Sequence, residues 1–254
     1  MCIAIIGGSG FYEFFSGDSE TQNTPFGQST PITTFQVGSK EVYFLARHGK
    51  EHSIPPHRIN YRANIYAIRE LNVTYVLATN AVGSCRMEIK PGNLVIPDQL
   101  IDFTNGRASS FYEGNLESGV LPEFKRVKHT DVSYPYQGVV RKIFLNVISE
   151  MKDIEYHTSG TYICTNGPRF ETAAEIQMAK QIGADIVGMT SAPECFLARE
   201  LDMDYASLCL VTNYGAGMQK RISQEEVVEI FNQKMGIVKE IIMKSIDSLS
   251  NLED

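Results

Sequence analysis

The sequence predicts a single α/β domain with a mixed, mostly parallel central sheet flanked by helices. Three observations carry this. Short runs rich in β-branched and aromatic residues alternate with segments whose apolar residues recur at helical spacing, the pattern of a sheet covered on both faces. At 254 residues the chain suffices for one large domain, predicted to run 1–254, and does not require two. A hydrophobic share of 43% with 10% aromatic residues suits a globular core.

The strands read in order as CIAII (2–6), VYFLA (42–46), VTYVLA (73–78), LVI (94–96), TYIC (161–164), DIVG (185–188) and ASLCLVT (206–212). Between them, residues 61–71 place Ile65, Ile68 and Leu71 at helical spacing. Residues 139–148 do the same with Val140, Ile143, Phe144 and Val147. Thr172 followed by Glu175 is a capping-box signature, and Gly183 closes that helix. Ser223 with Glu226 repeats the signature before a long amphipathic C-terminal helix. Residues 98–136 show no period, are rich in Gly, Ser and Asn, and are expected to wander over the surface, where binding or oligomer contacts often lie.

The net charge of −7 argues against an extended nucleic-acid surface, so a bound anion must be small and locally held. Cys2, Cys85, Cys164, Cys195 and Cys209 form no CxxC pair, and four sit in or beside apolar stretches. They read as buried reduced thiols rather than a disulfide or zinc framework. The start, MCIAIIGGSG, has no basic n-region, and no apolar run approaches a membrane span. A cytoplasmic protein without a membrane partner is expected.

Polar residues collect where strands end. Ser9 follows the first strand, Arg47 and His48 the second, Thr79 and Asn80 the third. Met189 and Thr190 follow DIVG, and Asn213 follows the last. Ligands of open α/β sheets bind outside the carboxyl ends of the strands, so these ends predict a pocket.

LARHGKEH (45–52) admits three readings. His48, Glu51 and His52 match the H-x-x-E-H zinc pattern, but that needs a helix, and Gly49 and Pro55-Pro56 oppose one. A solvated turn is the plain alternative. An anion cradle is the third, since arginine offers a planar fork suited to phosphate. IIGGSGFYE fails the dinucleotide pattern at Glu13 and has no GK[ST], yet a Gly-Gly-Ser-Gly turn after a strand still aims N–H groups at a small anion.

GGSG (7–10), ARHG (46–49), TNAVGS (79–84), GPRFETAAE (167–175), VGMTSAPE (187–194) and LVTNYGAG (210–217) together carry a resemblance. The chain resembles the trimeric purine nucleoside phosphorylase and methylthioadenosine phosphorylase family, nearly end to end and in the family's order. The resemblance implies inorganic phosphate and a purine nucleoside as substrates, with no metal or organic cofactor. It implies a homotrimer, or a dimer of trimers, with shared active sites. Matching positions put Ser9, Arg47, His48, Asn80, Ala81 and Thr190 around phosphate, and Met189 against the ribose. Asn213, Tyr214 and Gly215 would line the base, with Phe170 and Glu171 also on the substrate. His129 would reach a neighbour's 5′ pocket. His52 and His57 gain no role.

Two departures bear on the purine. Methylthioadenosine phosphorylases carry Asp-x-Asp after the last strand, where this chain has Asn213-Tyr214-Gly215. A protonated Asp suits adenine, donating to N7 and accepting from the amino group. An Asn amide suits a 6-oxopurine, whose N7 and O6 both accept. Glu171 stands where 6-oxopurine enzymes have a glutamate accepting the proton on N1. The resemblance makes Asn213, His48 and Glu171 the expected catalytic groups, and the two departures make a 6-oxopurine the expected base, with a 6-aminopurine as the alternative. Gln224 sits where nucleoside enzymes have a hydroxyl-binding His and methylthio enzymes an apolar residue, so the 5′ group stays open.

Overall fold

The computed structural model describes residues 2–8, 15, 17–38, 40–114, 121–220 and 223–252, and the backbone but not the side chain of Gln224. The N-terminal half supplies β1 (Cys2–Gly7), the short β2 (Ser19–Glu20), β3 (Asn23–Thr24) and β4 (Gly27–Gln28), then β5 (Ile32–Val37), β6 (Lys40–Ala46), α1 (Tyr61–Glu70) and β7 (Val73–Ser84). There follow β8 (Leu94–Val95), β9 (Gln99–Asp102), α2 (Val139–Ser149), β10 (Tyr156–His157) and β11 (Thr161–Cys164). The chain continues through α3 (Ala173–Gln181), β12 (Ile186–Gly188), α4 (Ser191–Glu200), β13 (Asp204–Tyr214) and α5 (Gln224–Ser250).

The main sheet runs β10-β8-β13-β7-β1-β6-β5-β2, with β12, β11 and β9 branching from the far half of β7. β1 lies parallel between β6 and β7, and β13 lies parallel to β7. The pairs β5–β6, β8–β13 and β7–β12 are antiparallel. The expected mixed, mostly parallel sheet with helices on both faces is the fold.

Period-two alternation decides which residue meets which layer. Ile3, Ile5, Val42 and Phe44 pack with α2 and α5 through Phe144, Ile241 and Ile242. Ala4, Ile6, Tyr43 and Leu45 face the other way, onto Ile65 and Ile68 of α1 and Leu197 of α4. Strands covered on both sides explain the near-continuous apolar runs of the sequence.

Local signals hold where they were strongest. Thr172 caps α3 through both bonds of the capping box, Glu175 N to Thr172 Oγ1 at 3.1 Å and Thr172 N to a Glu175 oxygen at 2.7 Å. Ser223 accepts from Glu226 N at 3.2 Å and starts α5. Other elements depart from the expectation. β7 and β13 run past their expected ends, to Ser84 and Tyr214. β5 and α4 were not expected. The 98–136 stretch is more than a surface excursion: Phe111, Phe124 and Tyr136 are fully buried. Phe111 stacks on Phe124 at 5.4 Å, and Glu200 at the end of α4 accepts from Phe111 N at 2.8 Å. The aromatic content of the stretch outweighs its missing period.

Candidate active site

The long strand β7 is shared between two arms of the sheet. Its first half pairs with β1 as far as Ala78, and its end pairs with β12 from Gly83 onward. Among the described residues, no strand pairs residues 79–82 on that side. The sheet opens there. Ala81 is exposed although its neighbours Asn80 and Val82 are buried. The ends of β1, β6 and β12 all point into this gap, which is why residues distant in sequence meet. Thr79 and Asn80, expected after the strand, are within it.

Asn80 is the hub on this side. Its amide nitrogen donates to Ser207 Oγ at 2.6 Å, and its oxygen accepts from Thr190 Oγ1 at 2.7 Å. Reversing the amide satisfies the same partners and releases the Thr190 proton for another acceptor.

Arg47 is 1% exposed, and its planar fork is already engaged. Nε and Nη2 donate to the two oxygens of Glu194 at 2.6 and 2.7 Å, and Nη1 donates to the Thr79 carbonyl at 3.0 Å. This corrects the expectation that the fork itself faces an anion: one proton on Nη1 and one on Nη2 remain. Burial alone would lower the guanidinium pKa, but Glu194 reverses this and holds it above its ordinary value. A methyl group on Gly8 would lie 3.8 Å from Arg47 Nη1 and 4.0 Å from His48 Nε2, so both nitrogens border the space over Gly8.

His48 is fixed by its other nitrogen. Nδ1 lies 2.8 Å from the Ile54 carbonyl, which can only accept, so Nδ1 carries a proton. Burial, then the charge of Arg47, pushes its pKa down to about 3. The neutral ring therefore presents a bare Nε2, an acceptor. His52 packs its ring 4.4 Å from that of His48 with φ at +52°, and burial lowers its pKa too. The 47–52 segment is turn, not helix.

The second cluster lies beyond β12. Glu171 accepts from Thr165 Oγ1 at 2.6 Å through one oxygen, leaving the other for a donor. Both residues line a cavity of about 350 Å³ with Phe103, Ile163, Ile176 and Val187. Asn213 is 4% exposed; its oxygen accepts from Thr212 Oγ1 at 2.9 Å and its amide donates to the Tyr214 carbonyl at 2.9 Å. That amide still holds a second proton. Gly83 leaves room here, since a methyl group on it would come 3.1 Å from the Asn213 amide and 3.2 Å from Val187. Asn213 and the Glu171 cavity thus share the Val187 wall.

Tyr214 N donates to Gln219, whose amide donates to Glu226 at the start of α5. Gly215 is buried against Ile176, and half-buried Met189 sets its sulfur against Gly167. Phe170 is 40% exposed. His129 is exposed and not joined to either cluster. Ser9 lies outside the described residues, as does the side chain of Gln224. The sequence reading missed Glu194, Thr165, Ser207 and Tyr205. Glu194 alone left a signal, a carboxylate inside the otherwise small and apolar SAPECFLA.

Comparison with known proteins decides the family: the model of the Phosphorylase superfamily matches residues 2–247. The chain belongs to this superfamily, and it is an enzyme of the nucleoside phosphorylase type. It is 50% identical over 247 residues to a 6-oxopurine nucleoside phosphorylase of Pyrococcus furiosus, covering 96% of this chain and 91% of that one. It is 42% identical over 252 residues to a probable S-methyl-5′-thioinosine phosphorylase of Methanothermobacter thermautotrophicus, at 97% and 84% coverage. Among solved structures, methylthioadenosine phosphorylase from Schistosoma mansoni in complex with adenine superposes with a TM-score of 0.90 at 34% identity, covering 99% of this chain and 92% of that one. The superfamily is the one that the Gly-rich turn, ARHG and the Asn213 strand announce. Its members named here differ in the purine edge they take.

Proposed function

We propose that this enzyme cleaves 6-oxopurine nucleosides by phosphorolysis, giving the free base and an α-ribose-1-phosphate, or its 5-methylthio counterpart. The observation that carries the proposal is the Glu171 carboxylate, tied on one oxygen by Thr165 and open on the other. An open carboxylate oxygen accepts the N1 proton of a 6-oxopurine; adenine N1 carries none, and two acceptors would face each other. Such a mismatch costs ~1–3 kcal/mol, tenfold or more in discrimination.

Phosphate enters over Gly8 as the hydrogen phosphate dianion. Arg47 Nη1, the Ala81 amide and Thr190 donate to its oxygens, Ser9 adds its hydroxyl, and His48 Nε2 accepts from the P–OH group. One phosphate oxygen attacks C1′ while the C1′–N9 bond breaks, its electron pair passing to the purine. Asn213 donates to N7 and strengthens as that charge grows, which lowers the barrier rather than merely binding the substrate. The P–OH proton ends on the purine, leaving sugar phosphate and neutral base. Phosphate is itself the nucleophile, so no metal or organic cofactor takes part. Met189 packs the ribose, Phe170, Tyr214 and Gly215 the base. His129 acts on a neighbouring copy in a homotrimer, and Gln224 is the position assigned to the 5′ group.

One observation favours a second reading, a 6-aminopurine substrate: the solved structural relative is named for methylthioadenosine and holds adenine. A panel of inosine, guanosine, methylthioinosine and methylthioadenosine, with and without phosphate, separates the two. Phosphate-dependent release of hypoxanthine or guanine is expected to exceed that of adenine by about tenfold or more. Asn213→Asp should lose most 6-oxopurine turnover. Adenine release as the faster reaction in the wild type sinks the proposal.

A further inference from the structure

Glu194 is 2% exposed and joins the phosphate cluster through Arg47, with no substrate role of its own assigned to it. It receives two parallel N–H bonds from Arg47 and a third bond, at 2.8 Å, from the Tyr205 hydroxyl. Desolvating a carboxylate and a guanidinium together is costly, and apolar residues of similar volume often stabilise a fold as well. The pair is therefore poorly explained as a stability device. What it does achieve is geometric. A lone guanidinium on the Thr79 carbonyl could swing about its stem, whereas the fork on Glu194 fixes its plane. Tyr205 in turn fixes the carboxylate. The outcome is Arg47 Nη1 facing the space over Gly8, alongside His48 Nε2.

The pair also cancels its own charge. An anion in that space meets aimed hydrogen bonds rather than a surplus of positive charge. We infer that Glu194, steadied by Tyr205, is a positioning residue that aims Arg47 at phosphate and neutralises it. This rests on the phosphate reading given above, and it makes a distinctive prediction. Removing the carboxylate unmasks the arginine charge, so a site working by charge would tighten on phosphate. A site working by aim loosens.

The test is steady-state phosphorolysis by the full chain with its fastest nucleoside, varying inorganic phosphate and nucleoside separately. Glu194→Gln is expected to raise KM for phosphate by about tenfold or more, with nucleoside KM within about twofold. Glu194→Asp should recover part of the loss, and Tyr205→Phe should show a smaller rise, roughly two- to fivefold, in the same constant. A folded Glu194→Gln enzyme with unchanged or lower phosphate KM, or with equal rises in both constants, overturns the inference. Should Glu194→Gln not fold, Tyr205→Phe decides, and an unchanged phosphate KM there overturns it as well. Arg47→Gln separates the two levels. If it leaves phosphate KM unaltered, the phosphate reading itself fails; if it raises that KM while Glu194→Gln does not, only the role of Glu194 falls.

Discussion

At the scale of single residues, His48 shows how one hydrogen bond decides a chemistry. The Ile54 carbonyl holds the proton on Nδ1, and burial with Arg47 nearby keeps the ring neutral down to about pH 3. An ordinary imidazole would titrate between about pH 5 and 8. Phosphate KM should therefore show no inflection from His48 across that range. The folded pKa lies below the ordinary 6.5, so the unfolded chain binds more protons between the two values. Stability from this group is present above 6.5 and is lost as pH falls toward 3. His48→Gln should flatten the acid limb of a plot of thermal midpoint against pH, and an unchanged limb would contradict the assignment. Arg47 and His48 were legible as an adjacent pair after a strand. Their orientations were not, because the partners that set them, Glu194 and Ile54, are respectively distant and a backbone carbonyl.

At the scale of elements, α3 and α5 were legible because their caps are local bonds written in four consecutive residues. The helix α4 was not. Ser191, Ala192, Pro193, Glu194, Cys195, Leu197, Ala198 and Glu200 are all buried, so SAPECFLARE has no polar face and hence no stripe to read. Its two carboxylates are instead spent inward, Glu194 on Arg47 and Glu200 on the 98–136 stretch. Glu200 accepts from Ser110 Oγ at 2.7 Å and from Phe111 N at 2.8 Å, and so pins a loop whose Phe111 is in the core. Glu200→Ala strands a buried N–H, which costs about 1–3 kcal/mol. For a chain of this size each kcal/mol shifts the melting midpoint by about 2–4 °C, so a fall of roughly 2–12 °C is expected by calorimetry. Phosphate KM should stay within about twofold, because Glu194 keeps its own partners. A large rise in that constant without a change in midpoint would mean α4 transmits strain to the site.

At the scale of the whole molecule, the site exists because one strand serves two arms of a sheet. β7 pairs with β1, then with β12, and the stretch between them, held by β13 on one side and open on the other among the described residues, receives Gly8, Arg47 and Thr190 from outside the strand. Strand periodicity announced β7 only as far as Ala78, where Thr79 and Asn80 end the apolar run, and so could not announce the fork. A ligand lodged in that fork bridges β1, β6, β7 and the start of α4, so it must favour the folded chain over the unfolded one. At a hundredfold excess over its Kd, phosphate should add about 2.7 kcal/mol. That corresponds to roughly 5–10 °C in the melting midpoint. Sulfate matches phosphate in shape and charge but has no proton near neutral pH, and the bare His48 Nε2 offers it a lone pair where phosphate offers a P–OH. Matched melting curves in the two salts, at equal ionic strength, should therefore show phosphate stabilising at concentrations where sulfate barely does. Equal shifts would mean that His48 takes up a proton on binding, and that the acceptor role derived from its Ile54 bond does not survive in the occupied site.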